Sequence, residues 1–318
     1  MRDPAIIKIS KEQSAKKRQE RRKRRLEWFR SALPLMILGA AVVFAVLYLS
    51  RPRNIKLDDS VLTVIMLDVG QGDSILIHTS TNNVLVDCGD VDQGVSVAKR
   101  LEALGITRLD CLINSHPHAD HLGGAADILR MMPVGTLYFP DIPENLLPTT
   151  GSYLRTLDLA EEKGVDVRIP KCGDVLSLGI ADIRFLTVDN TQFENLNDCS
   201  LGIALTHGKN SILLTGDLET AGEKAWLEAG LLSPVTVLKC AHHGSNASTG
   251  TSFLETVQPA AAVISVGALN DYGHPSQKML ARLRAYTETI FRTDLDGNIR
   301  MVSDGEQVQI TPRVTIKG

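Results

Sequence analysis

The chain has 318 residues, 43% hydrophobic and 22% charged, a globular composition with room for one large domain and an added segment. Its net charge of −3 hides a split: residues 1–30 hold 12 Lys/Arg against 4 Asp/Glu, so a tail of +8 precedes a body of −11. The acidic body excludes a general attraction to nucleic-acid phosphates, and five scattered cysteines without a C-x-x-C pair exclude a disulfide framework and a thiolate zinc site.

Residues 1–30 form a basic tail that ends in KKRQERRKRRLEWFR (Lys16 to Arg30). Residues 31–50 then run SALPLMILGAAVVFAVLYLS without a charge, long enough to cross a hydrocarbon core of ~30 Å as one helix. A cleaved signal peptide is the alternative, but its apolar core is typically ~7–15 residues and ends in small residues, whereas this run ends LYLSRPRN. The positive-inside rule puts the tail in the cytoplasm and the body outside, as a single-pass cell-membrane protein with Trp28 and Tyr48 at the interfaces. A nucleic-acid or lipid contact by the tail explains less than this topology signal does. Residues 51–60 read as a linker and 61–318 as the globular domain.

In that domain the apolar runs Val61 to Val69, Ser74 to Thr79 and Asn83 to Gly89 predict strands joined by Gly-rich turns. A helix follows over 94–104, a strand at Leu109 to Ser115, a His-rich loop, and one helix over about 122–131. Further strands are predicted at Val134 to Pro140, Asp182 to Val188, Leu201 to His207 and Ser211 to Asp217. A helix over 220–229, strands at Pro234 to Cys240 and Ala260 to Gly267, and a helix over 276–286 come next. Terminal strands turning at Asp296-Gly297 and Asp304-Gly305 complete a two-sheet α/β sandwich.

The loop His116-Pro117-His118-Ala119-Asp120-His121 offers three imidazoles and a carboxylate within six residues, between a buried strand and a helix. Such ligands, with no cysteine among them, suit Zn²⁺ or Mn²⁺. Alternate side chains of an extended loop point the same way, so His116 and His118 can clasp one ion while Asp120 and His121 turn to a second. A solvated polar surface loop rarely concentrates histidine in this way. His78 and His207 stand alone at strand ends and are set aside, and Gly70-Gln71-Gly72-Asp73 reads as a tight hairpin near the site. Asp68 and Asp73 are candidates for supporting it from behind.

The H-x-H-x-D-H spacing resembles the signature of the metallo-β-lactamase superfamily, and further superfamily motifs follow in order along residues 61–312. Val86-Asp87-Cys88-Gly89 matches its early orienting aspartate, Thr215-Gly216-Asp217 its bridging aspartate, and Ala241-His242-His243-Gly244-Ser245 its late histidine motif. Within the superfamily, LDVGQGDS (Leu67 to Ser74), KxxHHGS (Lys239 to Ser245) and YGHP (Tyr272 to Pro275) look like the carboxy-terminal domain of ComEC-type DNA-internalisation proteins. The resemblance implies an αββα sandwich holding two divalent ions. Asp217 would bridge them, and His242 or His243 would complete the second site. Where a third histidine for the first ion is expected, the chain reads Asn197-Asp198-Cys199-Ser200, with Asp198 a ligand directly or through water.

Two ions about 3.5–4 Å apart would hold a hydroxide for in-line attack. Asp120 would orient that nucleophile. The spare histidine of the late motif, Lys239, Ser245 and His274 are candidates for gripping phosphate or protonating the leaving oxygen. The expected function is a phosphodiesterase or nuclease-like hydrolase acting on DNA or a cell-envelope phosphodiester. A lactone or thioester hydrolase and an accessory component of DNA uptake are the alternatives; a metal-free scaffold would leave the ligand set without purpose. No protein partner is readable from the sequence.

Overall fold

The computed structural model describes residues 53–316 together with Lys23, Ala32, Leu33, Met36 and Gly39, which are helical. The span expected over 31–50 and the basic tail otherwise lie outside the described residues. Among the described residues no helix is long and apolar enough to cross a membrane.

The body opens with β1 (Arg53–Asn54), paired in parallel with the last strand at Val314–Thr315. Ile55 and Leu57 pack on the core, so part of the expected linker belongs to the body. The strands β2 (Leu62–Met66), β3 (Ile75–His78) and β4 (Asn83–Val86) form an antiparallel meander. Helix α1 (Gly94–Ala103) then leads to β5 (Leu109–Ile113), parallel to β4. The pattern continues through α2 (Ala119–Leu122), α3 (Ala125–Met131) and β6 (Val134–Tyr138), then α4 (Gly151–Glu162) and β7 (Asp166–Arg168).

The second sheet repeats this plan. An antiparallel set, β8 (Val175–Ser177), β9 (Asp182–Leu186), β10 (Gly202–His207) and β11 (Asn210–Leu214), precedes parallel β12, β13 and β14 at Val237–Lys239, Ala261–Ile264 and Ile290–Arg292. Helices α5 (Thr220–Glu228), α6 (Thr251–Val257) and α7 (Gln277–Arg284) make the connections. The turn expected at Asp296-Gly297 is instead a short helix, α8 (Thr293–Asp296), which carries the chain back to the first sheet. There β15 (Ile299–Ser303) pairs with β2 and with β16 (Val308–Thr311).

Period-2 alternation divides the buried side chains between two environments. On β2 and β3, Val64, Met66, Ile75 and Ile77 face the second sheet, where they meet Ile183, Ile203, Leu205 and Ile212. Their neighbours Ile65 and Leu76 face the opposite way, onto α1 and α3. A third cluster joins the outer face of the second sheet to α5, α6 and α7, giving four layers in the order αββα. Strands buried on both faces read as unbroken apolar runs. Each such side chain contributes ~1.5–3 kcal/mol by burial. Cys88, Cys111, Cys199 and Cys240 are buried in these layers as free thiols.

The helix expected over 122–131 is broken because Gly123 and Gly124 pass against the turn that follows β4. A Cβ on Gly124 would lie 2.4 Å from the Cys88 carbonyl oxygen and 2.7 Å from Gly94 Cα. That contact presses the His-rich loop onto the end of β4. Gly72 does the same from the β2–β3 loop, where a Cβ would sit 2.2 Å from the Asp120 carbonyl oxygen. Because its backbone dihedrals are helical, Gly124→Ala tests this packing by size alone. We expect a loss of about 1–3 kcal/mol by overpacking, read as a lower urea midpoint; an unchanged midpoint would show that the contact is not needed.

Candidate metal centre

The ends of five strands meet at one edge of the sandwich, and each delivers part of the site. Asp87 follows β4 in a left-handed conformation (φ 58°) and turns back under the His-rich loop. Its Oδ1 accepts from the Ser115 amide (2.8 Å) and Asn114 Nδ2 (3.1 Å), while Oδ2 accepts from Ser115 Oγ (2.6 Å) and meets His121 Nδ1 at 2.8 Å. Asp87 therefore orients His121 and commits its Nε2 to the site. On the opposite wall His243 Nδ1 donates to the Ser265 carbonyl at the end of β13 (2.8 Å), which aims its Nε2 at the same point.

Asp120, His121, Asp217 and His243 each offer a ligand atom, all within 4.8 Å of one another. His243 Nε2 lies 3.2 Å from Asp120 Oδ2, 3.3 Å from Asp217 Oδ2 and 3.3 Å from His121 Nε2. His121 Nε2 lies 3.2 Å from Asp217 Oδ1, yet that buried oxygen has no hydrogen-bond partner. These imidazole nitrogens and carboxylate oxygens converge on a common centre, as ligands of a cation do. His116 Nε2 and His118 Nδ1 approach to 3.0 Å beside this cluster, with the His116 and His121 ring centroids 4.2 Å apart. The donor set, imidazole and carboxylate, fits a divalent ion of borderline or hard character.

The electrostatics point the same way. Burial works against charge on every group here, but the Asp217 and Asp87 carboxylates hold His121 well above the usual imidazole range. Burial is likewise outweighed at His243, which Asp217 and Asp120 lift to about 9. Two imidazolium protons thus stand in for a cation. Burial and the neighbouring His121 push His116 well below its usual range, and burial also lowers His118, which favours the neutral form a metal ligand needs.

Residues 67–268 match the metallo-beta-lactamase superfamily. The chain belongs to this superfamily. It is 33% identical over 253 residues to "ComE operon protein 3" of Bacillus subtilis (strain 168), covering 74% of this chain and 32% of that one. To "Competence protein ComA" of Neisseria gonorrhoeae it is 32% identical over 258 residues, with 79% and 33% covered. The chain thus spans about a third of the length of these curated relatives. CmlA, a diiron beta-hydroxylase from Streptomyces venezuelae, shares the fold at a TM-score of 0.50 and 14% identity, over 80% of this chain and 54% of that chain.

Several residues of this metallo-β-lactamase superfamily protein sit elsewhere than their spacing implies. Asp198 does not turn to the metal cluster. Its Oδ1 accepts from the amides of Glu219 (3.1 Å) and Gly222 (2.8 Å), and Oδ2 accepts from Asn195 Nδ2 (2.8 Å), so it caps α5 from outside. Lys239 cannot reach a leaving group, because its 1% exposed ammonium is pinned to Asp73 and the Gly216 carbonyl (2.9 Å), 3.8 Å from Asp217 Oδ1. Ser245 Oγ accepts from the Ala247 amide (3.2 Å) and closes the turn after the two histidines. Asp68 is tied to Gly70 in its own loop, to Arg100 of α1 and to Asn298 just before β15.

Between the two late histidines, the buried His243 joins the cluster. His242 is 25% exposed, with its Nε2 3.8 Å from Asp217 Oδ2. Both are held in the left-handed region (φ 48° and 51°), a strain of ~1–3 kcal/mol for each non-glycine residue. That kink leaves both rings facing the same oxygen, with His243 Nε2 3.3 Å and His242 Nε2 3.8 Å from Asp217 Oδ2. His274 lies at the rim, its ring edge-on to His242 (centroids 5.4 Å apart) and stacked on exposed Tyr272 (5.8 Å). His78 bonds Asn83 and Asp59, and His207 bonds Ser303, all outside the site. Glu219 is the site-edge carboxylate that spacing does not single out, whereas Asp73, expected as a support, lies buried behind the cluster, 3.8 Å from His121 Nδ1 and 3.6 Å from His243 Nδ1.

Filling the cluster requires neutral His121 and His243, so a divalent ion must displace both protons. Affinity should therefore rise from pH 6 toward pH 9, with proton release on loading near pH 7. Titration calorimetry in buffers of different ionisation enthalpy measures this, and pH-independent binding without proton release would contradict it. Asp87→Asn, which weakens the grip on His121, should lower metal affinity about 10–100-fold in a chelator competition; unchanged affinity would remove Asp87 from the orienting role.

Proposed function

We propose that this metallo-β-lactamase-fold hydrolase is a phosphodiesterase of nuclease type that works with two divalent ions, Zn²⁺ or Mn²⁺. The observation that carries the reading is the convergence of Asp120, His121, Asp217 and His243, whose ligand atoms all lie within 4.8 Å of one another. Asp120, His121, Asp217 and His243 would hold one ion. His116 and His118 would hold the other, with Asp217 shared between them. Bound there, a pair of divalent ions supplies a nucleophilic water at neutral pH and neutralises charge on a transferring phosphoryl group.

The protein's own part is positioning. Asp120, 28% exposed on its side chain, can reach a water at the open side of the cluster, while Lys239 and Asp87 keep Asp217 and His121 in place from behind. The stretch Asn197-Asp198-Cys199-Ser200 in place of a third histidine supports phosphoester over lactone or thioester chemistry, since it would leave the first ion free to take substrate oxygens. We also propose that residues 31–50 anchor the enzyme in the cell membrane with its body outside the cytoplasm. The uncharged run, the adjoining basic cluster and the exposure of apolar Leu33 and Met36 support this.

The test compares a bis-aryl phosphate diester with a lactone panel, using the full chain loaded with Mn²⁺ or Zn²⁺. Diester hydrolysis that disappears together with bound metal in Asp217→Ala is the expected outcome; hydrolysis of the lactones alone, or activity in metal-free Asp217→Ala, overturns the reading. A role in DNA uptake is the second reading, supported by the similarity to "Competence protein ComA". Deleting the chain would then lower transformation in a naturally competent host, and Asp217→Ala would not restore it if hydrolysis is the contribution. Full transformation in the deletion strain would exclude this role.

A further inference from the structure

Three residues near the late histidines hold a left-handed backbone that side chains disfavour: His242, His243 and, farther along, Thr249 (φ 54°). Such conformations persist only where the surroundings impose them, and Thr249 is where the surroundings act. Its amide donates to Glu223 of α5 and its carbonyl accepts from Arg282 Nε of α7 (2.8 Å), so opposite charges grip the two sides of one residue. The grip extends to both neighbours. The Gly250 amide donates to the second Glu223 oxygen (3.0 Å), and Arg282 Nη2 donates to the Ser248 carbonyl (2.8 Å). Thr249 Oγ1 in turn accepts from the Ala241 amide (3.2 Å), while Ser248 Oγ donates to the Ala241 carbonyl (2.9 Å). The residue just before the two histidines is therefore tied to the clamped segment by both its amide and its carbonyl. Glu223 and Thr249 are buried, whereas Arg282 is half-buried and reaches in from the surface.

We propose that Glu223, Arg282 and Thr249 are positioning residues that close residues 241–249 into a rigid loop and so fix the kink that brings His243 Nε2 to the metal cluster. This rests on the metal centre of the reading above and not on the choice of substrate. Their hydrogen bonds go to the loop, so they act on the cluster only through it. Helix α5 begins just after Asp217, and Thr220 Oγ1 at its start donates to the Ala247 carbonyl (2.7 Å). The helix that leaves one ligand thus holds the loop that leaves the other.

A clamp that only stabilised the fold would leave metal binding alone. Thr249→Val keeps the side-chain shape and removes the acceptor for the Ala241 amide. In the full chain it should lower Zn²⁺ affinity about tenfold in chelator competition and shift the visible absorption of the Co²⁺-loaded protein; Thr249→Ser should restore both. Arg282→Met and Glu223→Gln should each reproduce the loss. Combined with Thr249→Val, Arg282→Met should cost no more than the larger single loss, since both act through one residue. Parent-like affinity and absorption in the single variants, even with a lower urea midpoint, overturn the proposal, as do losses that multiply in the double variant. If Thr249→Val does not fold, Arg282→Met, which is changed at the surface, decides by the same two readings. If the parent protein binds neither ion, the metal reading falls by itself, and imidazole ¹⁵N NMR of the metal-free protein decides the positioning. Arg282→Met should then move the His243 ring signals and leave those of His207 in place; unmoved His243 signals overturn it.

Discussion

Four carboxylates, Asp73, Asp87, Asp120 and Asp217, are drawn into one corner of the sandwich, and three of them are almost wholly buried. Ionised carboxylates removed from water are tolerated only when cations or donors face them. Lys239 answers Asp73, the Ser115 amide and Asn114 answer Asp87, and His121 and His243 answer Asp120 and Asp217. What is left over is a pocket where imidazole and carboxylate atoms lie within 4.8 Å of one another. The need to neutralise that corner governs which side chains are committed to structure and which stay open to a ligand.

The fold meets this need by setting strand ends from two sheets face to face. Asp87 and the His-rich loop leave the ends of β4 and β5, while Asp217, His243 and Ser265 leave β11, β12 and β13. Close backbone approaches at Gly72 and Gly124 clamp the loop that carries Asp120 and His121 from two sides. The apolar layers do not touch the chemistry, but they fix the distance between the two sets of strand ends. The same scaffold can thus serve different reactions through changes confined to the loops.

Much of this is legible in the sequence where the signal is local. Four ligand types within six residues identify the His-rich loop, and runs buried on both faces identify the central strands. The strands that escape notice, β7, β8 and β14, are all sheet edges, short and half polar, so their alternation is weak. Roles that depend on a distant partner are also hidden. Lys239 reads as a substrate-binding cation until Asp73, more than 160 residues earlier, is seen to hold it inside. Asp198 reads as a ligand until the amides of α5 claim it. The choice between His242 and His243 is made by two left-handed residues, and spacing carries no trace of them.

The buried Lys239 has a consequence for how such a protein is assembled. Its charge belongs to the chain and cannot be lost to a chelator or exchanged, so the corner around Asp73 is neutralised as soon as the strands close. With imidazolium protons covering the remaining carboxylates, the chain can reach its final shape before any metal arrives. Charge answered from within the chain in this way would let folding precede metal loading, unlike in small domains that need their ion to fold.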